Sequence, residues 1–322
     1  MEAVNISIVY ESLSESVMEE AAFVWNRNFD FDYRITAPLL ERKLFHDRDF
    51  FSAGSFFCRD GNKIVAFIAS KISDNSVAEY RQVGWISLFV VDHEYRGRGI
   101  GTELYRMVEA AFKKAGTAKI IVSGEMHNFF SGIPQPTEES SLFFRKLGFV
   151  LNKSVHYDLV NDISGADDFS SQTRINHDAD YVTRPAEKAD QAKLADFLKA
   201  EFPGRWEFEI SRCFKVENEF EHVMVLWHKG RVEGFCRIRC GCDTDGIETY
   251  LGRDCGALGP IGIAGSIRGK GLGDRILADS LKHLQALGAH KTNIDWTSLT
   301  GFYGRFGFTP WREYLLAYKD LK

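Results

Sequence analysis

The sequence predicts an α+β protein of two domains in tandem, each a mixed, mostly antiparallel sheet flanked by helices. Three observations predict it. The 322 residues suit two domains of ordinary size. Two segments, Trp85–Gly116 and Leu258–Gly288, repeat one pattern: an apolar strand, a short turn, an Arg-Gly-x-Gly-x-Gly run and an amphipathic helix. Strand and helix patterns also follow in the same order around both repeats, which suits helices packed on a largely antiparallel sheet.

The long helices carry the clearest periodicity. Ile100, Leu104, Met107, Val108, Ala111 and Phe112 share one helical face, as do Leu272, Ile276, Leu277, Leu281 and Leu284. Gly116 and Gly288 are placed to end them. Upstream, the first half has helical stretches at Ser14–Asn28 and Pro38–Asp47. A hairpin follows over Ser55–Ser73, turning at Asp60-Gly61-Asn62. The second half has a helical stretch at Ala186–Glu201 and a hairpin over His222–Cys240, turning at Lys229-Gly230. Downstream of each long helix comes a strand, Lys119–Ser123 or Lys291–Trp296. A short helix ending in Gly-Phe follows, within Ser141–Phe149 or Thr300–Phe308. The first half alone carries an insertion, Met126–Glu138. The Ser-, Asp- and Asn-rich stretch Asn161–Asp180 is expected to link the halves, giving domains at 1–162 and 180–322 around a linker at 163–179.

Composition narrows the function classes. Hydrophobic residues at 44% and charged residues at 26% are ordinary for a globular protein. A net charge of −5, without a basic run, argues against nucleic acid as partner. The N-terminus lacks the features of a secretory signal, and the strongest apolar stretch, Trp85–Val91, is too short to span a bilayer. A cytoplasmic location without membrane contact is therefore expected. Six cysteines are present: Cys58, Cys213, Cys236, Cys240, Cys242 and Cys255. Cys236, Cys240 and Cys242 share one parity on an expected strand, which admits a metal cluster with Cys255. There is no CxxC pair and no His at finger-like spacing, so reduced thiols and no metal are expected.

The chemistry-bearing motif is the glycine run. It reads Arg96-Gly97-Arg98-Gly99-Ile100-Gly101, then Thr102, in the first half. In the second it reads Arg268-Gly269-Lys270-Gly271-Leu272-Gly273, then Asp274. Glycines at a helix start let a ligand approach the backbone, and the unpaired first amides with the helix dipole attract anions. A phosphate cradle is the natural reading. The dinucleotide fingerprint needs Gly where Thr102 and Asp274 stand, and no Gly-Lys-Ser/Thr of a P-loop occurs.

These segments resemble the GNAT family of N-acetyltransferases. Its Arg/Gln-x-x-Gly-x-Gly/Ala motif is matched by Arg96, Gly99 and Gly101, and by Arg268, Gly271 and Gly273. A later Phe-Tyr-x-x-x-Gly-Phe pattern is met by Phe302, Tyr303, Gly307 and Phe308. In the first half Phe143, Phe144, Gly148 and Phe149 meet it without the Tyr. The resemblance spans both halves and implies acetyl-CoA as co-substrate. The pantetheine arm would lie along Val90 and Val91, or Gly262 and Ile263, with the pyrophosphate on the glycine-turn amides.

The resemblance also implies a role for Tyr303 as the acid that protonates the leaving thiolate. Phe144 cannot donate, so chemistry is expected in the second half. Asp274 at the start of the second helix would repel a pyrophosphate, which favours cofactor binding in the first half. Asp295 is the first candidate base, with Glu248 behind it. Trp296 stands where many members carry Asn, which suggests a flat, apolar or sugar-like acceptor. The insertion, with His127, Asn128, Phe129 and Phe130, is a candidate wall of the acceptor cleft. Its Phe-Phe-x-Gly-x-Pro stretch is similar to GNAT domains attached to some bacterial glycoside hydrolases, which points toward amino sugars. The expected reaction is acetyl transfer from acetyl-CoA to a primary amine of a small molecule. An acetyl-CoA sensor without turnover, and a GNAT fold using another acyl donor, stay open as alternatives.

Overall fold

The computed structural model describes residues 7–165, 169, 175–214, 219–241 and 246–321. Part of the expected linker, and Cys242, lie outside the described residues. The chain divides into two compact units. The first comprises residues 1–76, 80–157 and 312–322, and the second residues 77–79 and 158–311. The division departs from the linear boundaries, because residues 312–322 belong with the first half and 158–162 with the second.

The first unit runs β1 (Ile8–Ser12), α1 (Met18–Asn26), α2 (Ala37–Lys43), β2 (Phe56–Asp60), β3 (Lys63–Ile72), β4 (Val83–Val91), α3 (Ile100–Lys114), β5 (Lys119–Val122), β6 (Ile133–Pro134) and α4 (Glu138–Lys146). It also takes β7 (Val150–Asp162) as far as Tyr157. Strands β1 to β4 form an antiparallel meander in sequence order, and β4 then pairs in parallel with β5. On the far side of β5 lies the part of β13 (Thr309–Asp320) that starts at Arg312, with Ala317 opposite Val122 and Asp320 opposite Lys119.

Both faces of this sheet are covered, which explains the nearly unbroken apolar run of β3. One face packs Phe67, Ala69, Leu88 and Val90 under α1 and α2 around Trp25. The other packs Ala66, Ile68 and Ile86 under α3, whose Leu104, Val108 and Phe112 are fully buried.

The second unit runs β8 (Tyr181–Pro185), α5 (Gln191–Glu201), α6 (Arg205–Arg212), β9 (Val223–His228), β10 (Arg231–Cys240), α7 (Glu248–Leu251), β11 (Cys255–Ile263), α8 (Leu272–Ala286), β12 (Lys291–Thr297) and α9 (Thr300–Gly304). Its sheet order is β8-β9-β10-β11-β12, antiparallel except for β11 and β12. Residues 158–162 of β7 continue it beyond β12, where Asn293 Nδ2 donates to the Leu159 carbonyl at 3.3 Å. The expected α+β class and tandem arrangement are therefore present, and the helical stripes read from sequence are the buried faces of α3 and α8. Helix α6 was not anticipated, since it shows only two turns of pattern.

Phe112 is a sensitive point of the first core. Its ring stacks on Phe51 at 5.5 Å and rests on the bare backbone of Gly84. Phe112→Ala should destabilise by about 3–5 kcal/mol, which urea unfolding would reveal as a lower midpoint at an unchanged slope.

Candidate functional site

In both units a parallel strand pair is shorter than the strand that leads to the glycine turn. In the first unit β4 and β5 pair from Val83↔Lys119 to Ile86↔Val122, and the Ser123 amide adds a last bond to the Ile86 carbonyl at 2.9 Å. Ser123 then turns away with φ +58°, while β4 continues to Val91. The rest of β4 keeps β3 on one side and opens a gap on the other.

At the end of β4, Asp92 caps a short turn through the Glu94 amide, and Gly99 caps α3 with φ +82°. That left-handed conformation is the reason for glycine there, and Gly271 repeats it at α8 with φ +75°. The first amides of both helices are left without side-chain caps.

A cavity of about 730 Å³ joins these features in the first unit. Its walls include Val90 and Val91, then Arg96, Gly97, Gly99, Ile100, Gly101 and Thr102. Arg98 is not among them. Its guanidinium donates to the Glu94 carbonyl at 2.9 Å and lies over the Tyr95 ring. Arg96 spans the mouth, donating to the Val91 carbonyl and pairing with Glu139, each at 3.1 Å. Phe144 also lines the cavity, its ring edge-on to Phe89, Phe143 and Phe149.

The α1 side of the cavity is aromatic and polar together. Trp25 and Phe29 stack at 4.1 Å, and Asn28, Asp30 and Gln135 stand nearby on the wall. Gln135 comes from the insertion, as do Gly132, Ile133, Pro134 and Thr137. The insertion is held from below by two buried lysines. Lys43 donates to the Asn128 carbonyl at 2.5 Å and Lys71 to the His127 carbonyl at 3.2 Å. Lys71 also pairs with buried Asp47 at 2.9 Å, whose carboxylate lies 3.4 Å from His127 Nδ1. Burial alone would raise the Asp47 pKa. The His127 hydrogen bond and the Lys71 charge outweigh burial and hold it well below the usual carboxylate range.

The second unit keeps the glycine cap but differs in the groups around it. Gly262 is packed by the Phe202 ring, whose Cζ would lie 2.5 Å from any Cβ there. Phe202 itself nests among Phe197, Trp206 and Phe235. Ile263 is half-buried. The Gly265 amide donates to the Glu201 carboxylate at 2.9 Å. Asp274, buried in the first turn of α8, forms two 2.8 Å bonds with Arg305. Arg268, Gly269 and Lys270 are exposed, Leu272 is fully buried and Gly273 half-buried.

Tyr303 is 5 % exposed, edge-on to Phe302 and Phe308. Burial, then the nearby Cys236 and Asp295, push its phenol well above its ordinary pKa, which makes it a weaker acid. Asp295 is exposed. Glu248 accepts from the Gly246 amide at 2.9 Å and so caps its own turn. Trp296 carries φ +47° and lies under the Arg205 guanidinium. Among the described residues no three His, Cys, Asp or Glu gather as metal ligands, and no helix is long and apolar enough to cross a membrane. Burial pushes the Cys236 thiol up to about 12, and burial with Asp60 pushes Cys58 to about 11, so neither is a ready thiolate.

The model of the acetyltransferase (GNAT) family matches residues 13–131 and again 192–308, most of both halves. The chain belongs to the GNAT acetyltransferase family. Acetyl-CoA-dependent N-acetyl transfer is the family's chemistry, and the two matches are the tandem halves. No curated protein sequence matches the chain.

Solved structures of GNAT proteins share the fold. One is the GCN5-related glucosamine N-acetyltransferase region of a fungal multi-domain GH3 β-N-acetylglucosaminidase. It has 22% identity and a TM-score of 0.83, over 98% of this chain and 38% of that one. This chain thus spans well under half of that protein. A GCN5-related N-acetyltransferase from Sphaerobacter thermophilus has 13% identity and a TM-score of 0.73, over 97% and 95% of the two chains. A tandem GNAT protein from the clavulanic acid biosynthesis pathway has 12% identity and a TM-score of 0.67, over 98% of each.

Nothing in the sequence marked Phe202 or Glu201 beside the second glycine turn, or Asp30 at the cavity, whereas Gln135 belongs to the insertion expected to line the cleft. An aromatic or acid at or just past a helix end has no spacing rule that marks it.

The Asp47 carboxylate should be visible in acid unfolding. Because its folded pKa is lowered, its stabilisation is present above the unfolded carboxylate range and is lost as pH falls toward the folded value. Asp47→Asn should lower Tm by several degrees at pH 7, and the gap to the unmodified protein should narrow steadily below about pH 4. A scan of Tm against pH for both proteins checks this.

Proposed function

We propose that this GNAT protein acetylates the primary amine of an amino sugar, with acetyl-CoA and acceptor both held by the first unit. The observation that carries this is the single cavity bounded by the open flank of β4, the glycine turn, and the Trp25–Phe29 stack with its polar neighbours. A mainly apolar cleft with a few convergent polar groups is what a small ligand requires. Val90 and Val91 would offer backbone to the pantetheine arm. Gly97, Gly99, Ile100, Gly101 and Thr102 would offer amides to the pyrophosphate.

An aromatic face beside Asn28, Asp30 and Gln135 suits a flat polyhydroxylated ring. The glucosamine activity named for the fungal neighbour points to the same class. The amine must be neutral to attack, and the thiolate must gain a proton.

This reading moves the chemistry away from Tyr303 and Asp295, where the sequence favoured it. In the second unit Phe202 lies where Gly262 and Ile263 would receive a pantetheine arm. Glu201 and Asp274 put two carboxylates at the turn formed by Arg268, Gly269, Lys270, Gly271, Leu272 and Gly273. The Glu201 charge opposes a pyrophosphate, and the Asp274–Arg305 pair already occupies the helix start that would attract one.

A second reading is favoured by Phe144, which cannot donate a proton: the first unit binds acetyl-CoA as a signal and does not turn it over.

The test exchanges residues at equivalent positions. Calorimetry with acetyl-CoA should find one site. Thr102→Asp should weaken it at least about fivefold, since like charges that close interact by about 1 kcal/mol or more. Asp274→Thr should leave it unchanged. Two sites, or a site insensitive to Thr102→Asp, would overturn the assignment. Thiol release with glucosamine separates the enzyme from the sensor, which would bind without turnover.

A further inference from the structure

We propose that Phe29 is the platform that makes the acceptor site select a sugar ring, held in place by a column of stacked rings and a set of buried cations. The proposal rests on the reading that an amino sugar occupies the cavity of the first unit.

Three aromatic rings lie nearly parallel at the cavity wall. Phe130 and Trp25 stack at 5.6 Å with 7° between their planes, and Trp25 and Phe29 at 4.1 Å with 19°. Phe130 is 2 % exposed and Trp25 1 %. Phe29 is half-buried and lines the cavity, so it is the ring of the column with surface left to offer. Trp25 Nε1 donates to the Tyr33 carbonyl at 2.7 Å, which stops the middle ring from turning.

The far end of the column is closed by charge. The guanidinium of Arg312, itself buried, lies 5.6 Å from the Phe130 ring, and its Nε donates to the Asp32 carbonyl at 2.6 Å. Lys43 and Lys71 hold the Asn128 and His127 carbonyls, with their ammonium groups 5.6 Å and 6.0 Å from the Phe129 ring. Asp32 stands on the loop that carries Phe29, and His127 and Asn128 on the segment that carries Phe130. Both loops of the column are therefore gripped by buried cations through backbone carbonyls. Burying a cation is costly, and apolar side chains of like volume often stabilise as well or better. What the cation adds is direction, because a hydrogen bond fixes where a carbonyl points. Lys43, Lys71 and Arg312 are thus positioning residues for Phe29.

The groups beside Phe29 say what it receives. Asn28 is already committed: its amide nitrogen donates to the Val24 carbonyl at 2.8 Å and its oxygen accepts from the His93 amide at 2.9 Å. Asp30 is exposed on the wall, and Gln135 holds it by accepting from its amide at 3.4 Å and donating to its carboxylate. Gln135 is fixed in turn by a bond from its own amide to the Glu313 carbonyl and by its φ of +45° between Pro134 and Pro136.

An apolar face beside an anchored carboxylate fits one kind of acceptor. A pyranose presents C–H bonds on its face and hydroxyls around its rim. The C–H face would rest on Phe29, and a rim hydroxyl would donate to Asp30. The amine takes no part in either contact and stays available to the thioester. An open-chain amine with the same hydroxyls has no face to rest on Phe29, and it must give up on binding a freedom that the ring never had.

The test uses the full chain and compares glucosamine with its reduced open-chain form, which keeps the amine and the hydroxyls. The unmodified protein should prefer the ring at least about tenfold in kcat/KM. Phe29→Ala should lower kcat/KM for glucosamine about tenfold, change the open-chain value less than about twofold, and leave acetyl-CoA affinity as it was by calorimetry. Phe29→Trp should keep the preference. Lys43→Met should lose part of it and Lys43→Arg should keep it, whereas a drop in Tm with the preference intact would make Lys43 merely structural. The Phe29 variants, at a half-buried side chain, decide the platform whether or not Lys43→Met folds. If the unmodified protein turns over neither compound, the amino-sugar reading fails and Phe29 loses its role with it. If it turns over glucosamine and Phe29→Ala shows the same preference, or the same lack of one, the amino-sugar reading stands and the platform is wrong.

Discussion

The first unit depends on one constraint: β4 is longer than its parallel partner. For four residues β4 and β5 satisfy each other's amides and carbonyls. Beyond that, β4 runs on beside a gap, with backbone groups that require partners when buried. The cavity lies along that gap. The glycine turn lies where β4 ends, Ser87 where it opens, and the insertion and α1 supply the facing wall. The cost of unpaired backbone is tolerated because the sheet is braced on both faces, by Trp25 and its neighbours on one side and by Phe112 and Leu104 on the other.

The two units show how one scaffold can surround such a gap with different groups. Both retain the left-handed glycine cap and the long helix behind it. In the second, an aromatic ring rests against Gly262, and the anion-seeking helix start has its own carboxylate, neutralised by Arg305. The Asp274–Arg305 pair has two good hydrogen bonds and little exposure of the acid, which makes it an internal substitute for an external anion. Repetition in sequence therefore does not bring repetition of the groups around the turn.

Most of the fold was legible because it is written in period and punctuation. The stripes of α3 and α8 and the turns at Gly61 and Gly230 all mark themselves locally. The glycine turns were legible for the same reason: the cap at Gly99 demands glycine by conformation. What stayed hidden depends on distance. Ser87 reads as a small residue in an apolar strand, and nothing local marks it as the place where pairing with β3 slips. Phe202 reads as core, and it is core, but the core it joins includes the flank of Gly262. Tyr303 matched a pattern perfectly, yet its hydroxyl is buried in a setting that weakens it as an acid. The destination of β13 was equally unreadable, since alternation shows a strand without naming its neighbour.

That strand sets a schedule for the growing chain. The segment from Arg312 onward flanks β5, and Arg312 and Glu313 touch the α1–α2 region through Asp32 and Tyr33. Although its other strands are made early, the first unit stays unfinished on the ribosome until synthesis reaches the region of Asp320. Its exposed β5 edge must wait, unpaired, while the whole second half emerges. A truncation that trims β13 would thus injure a sheet whose other strands were made first.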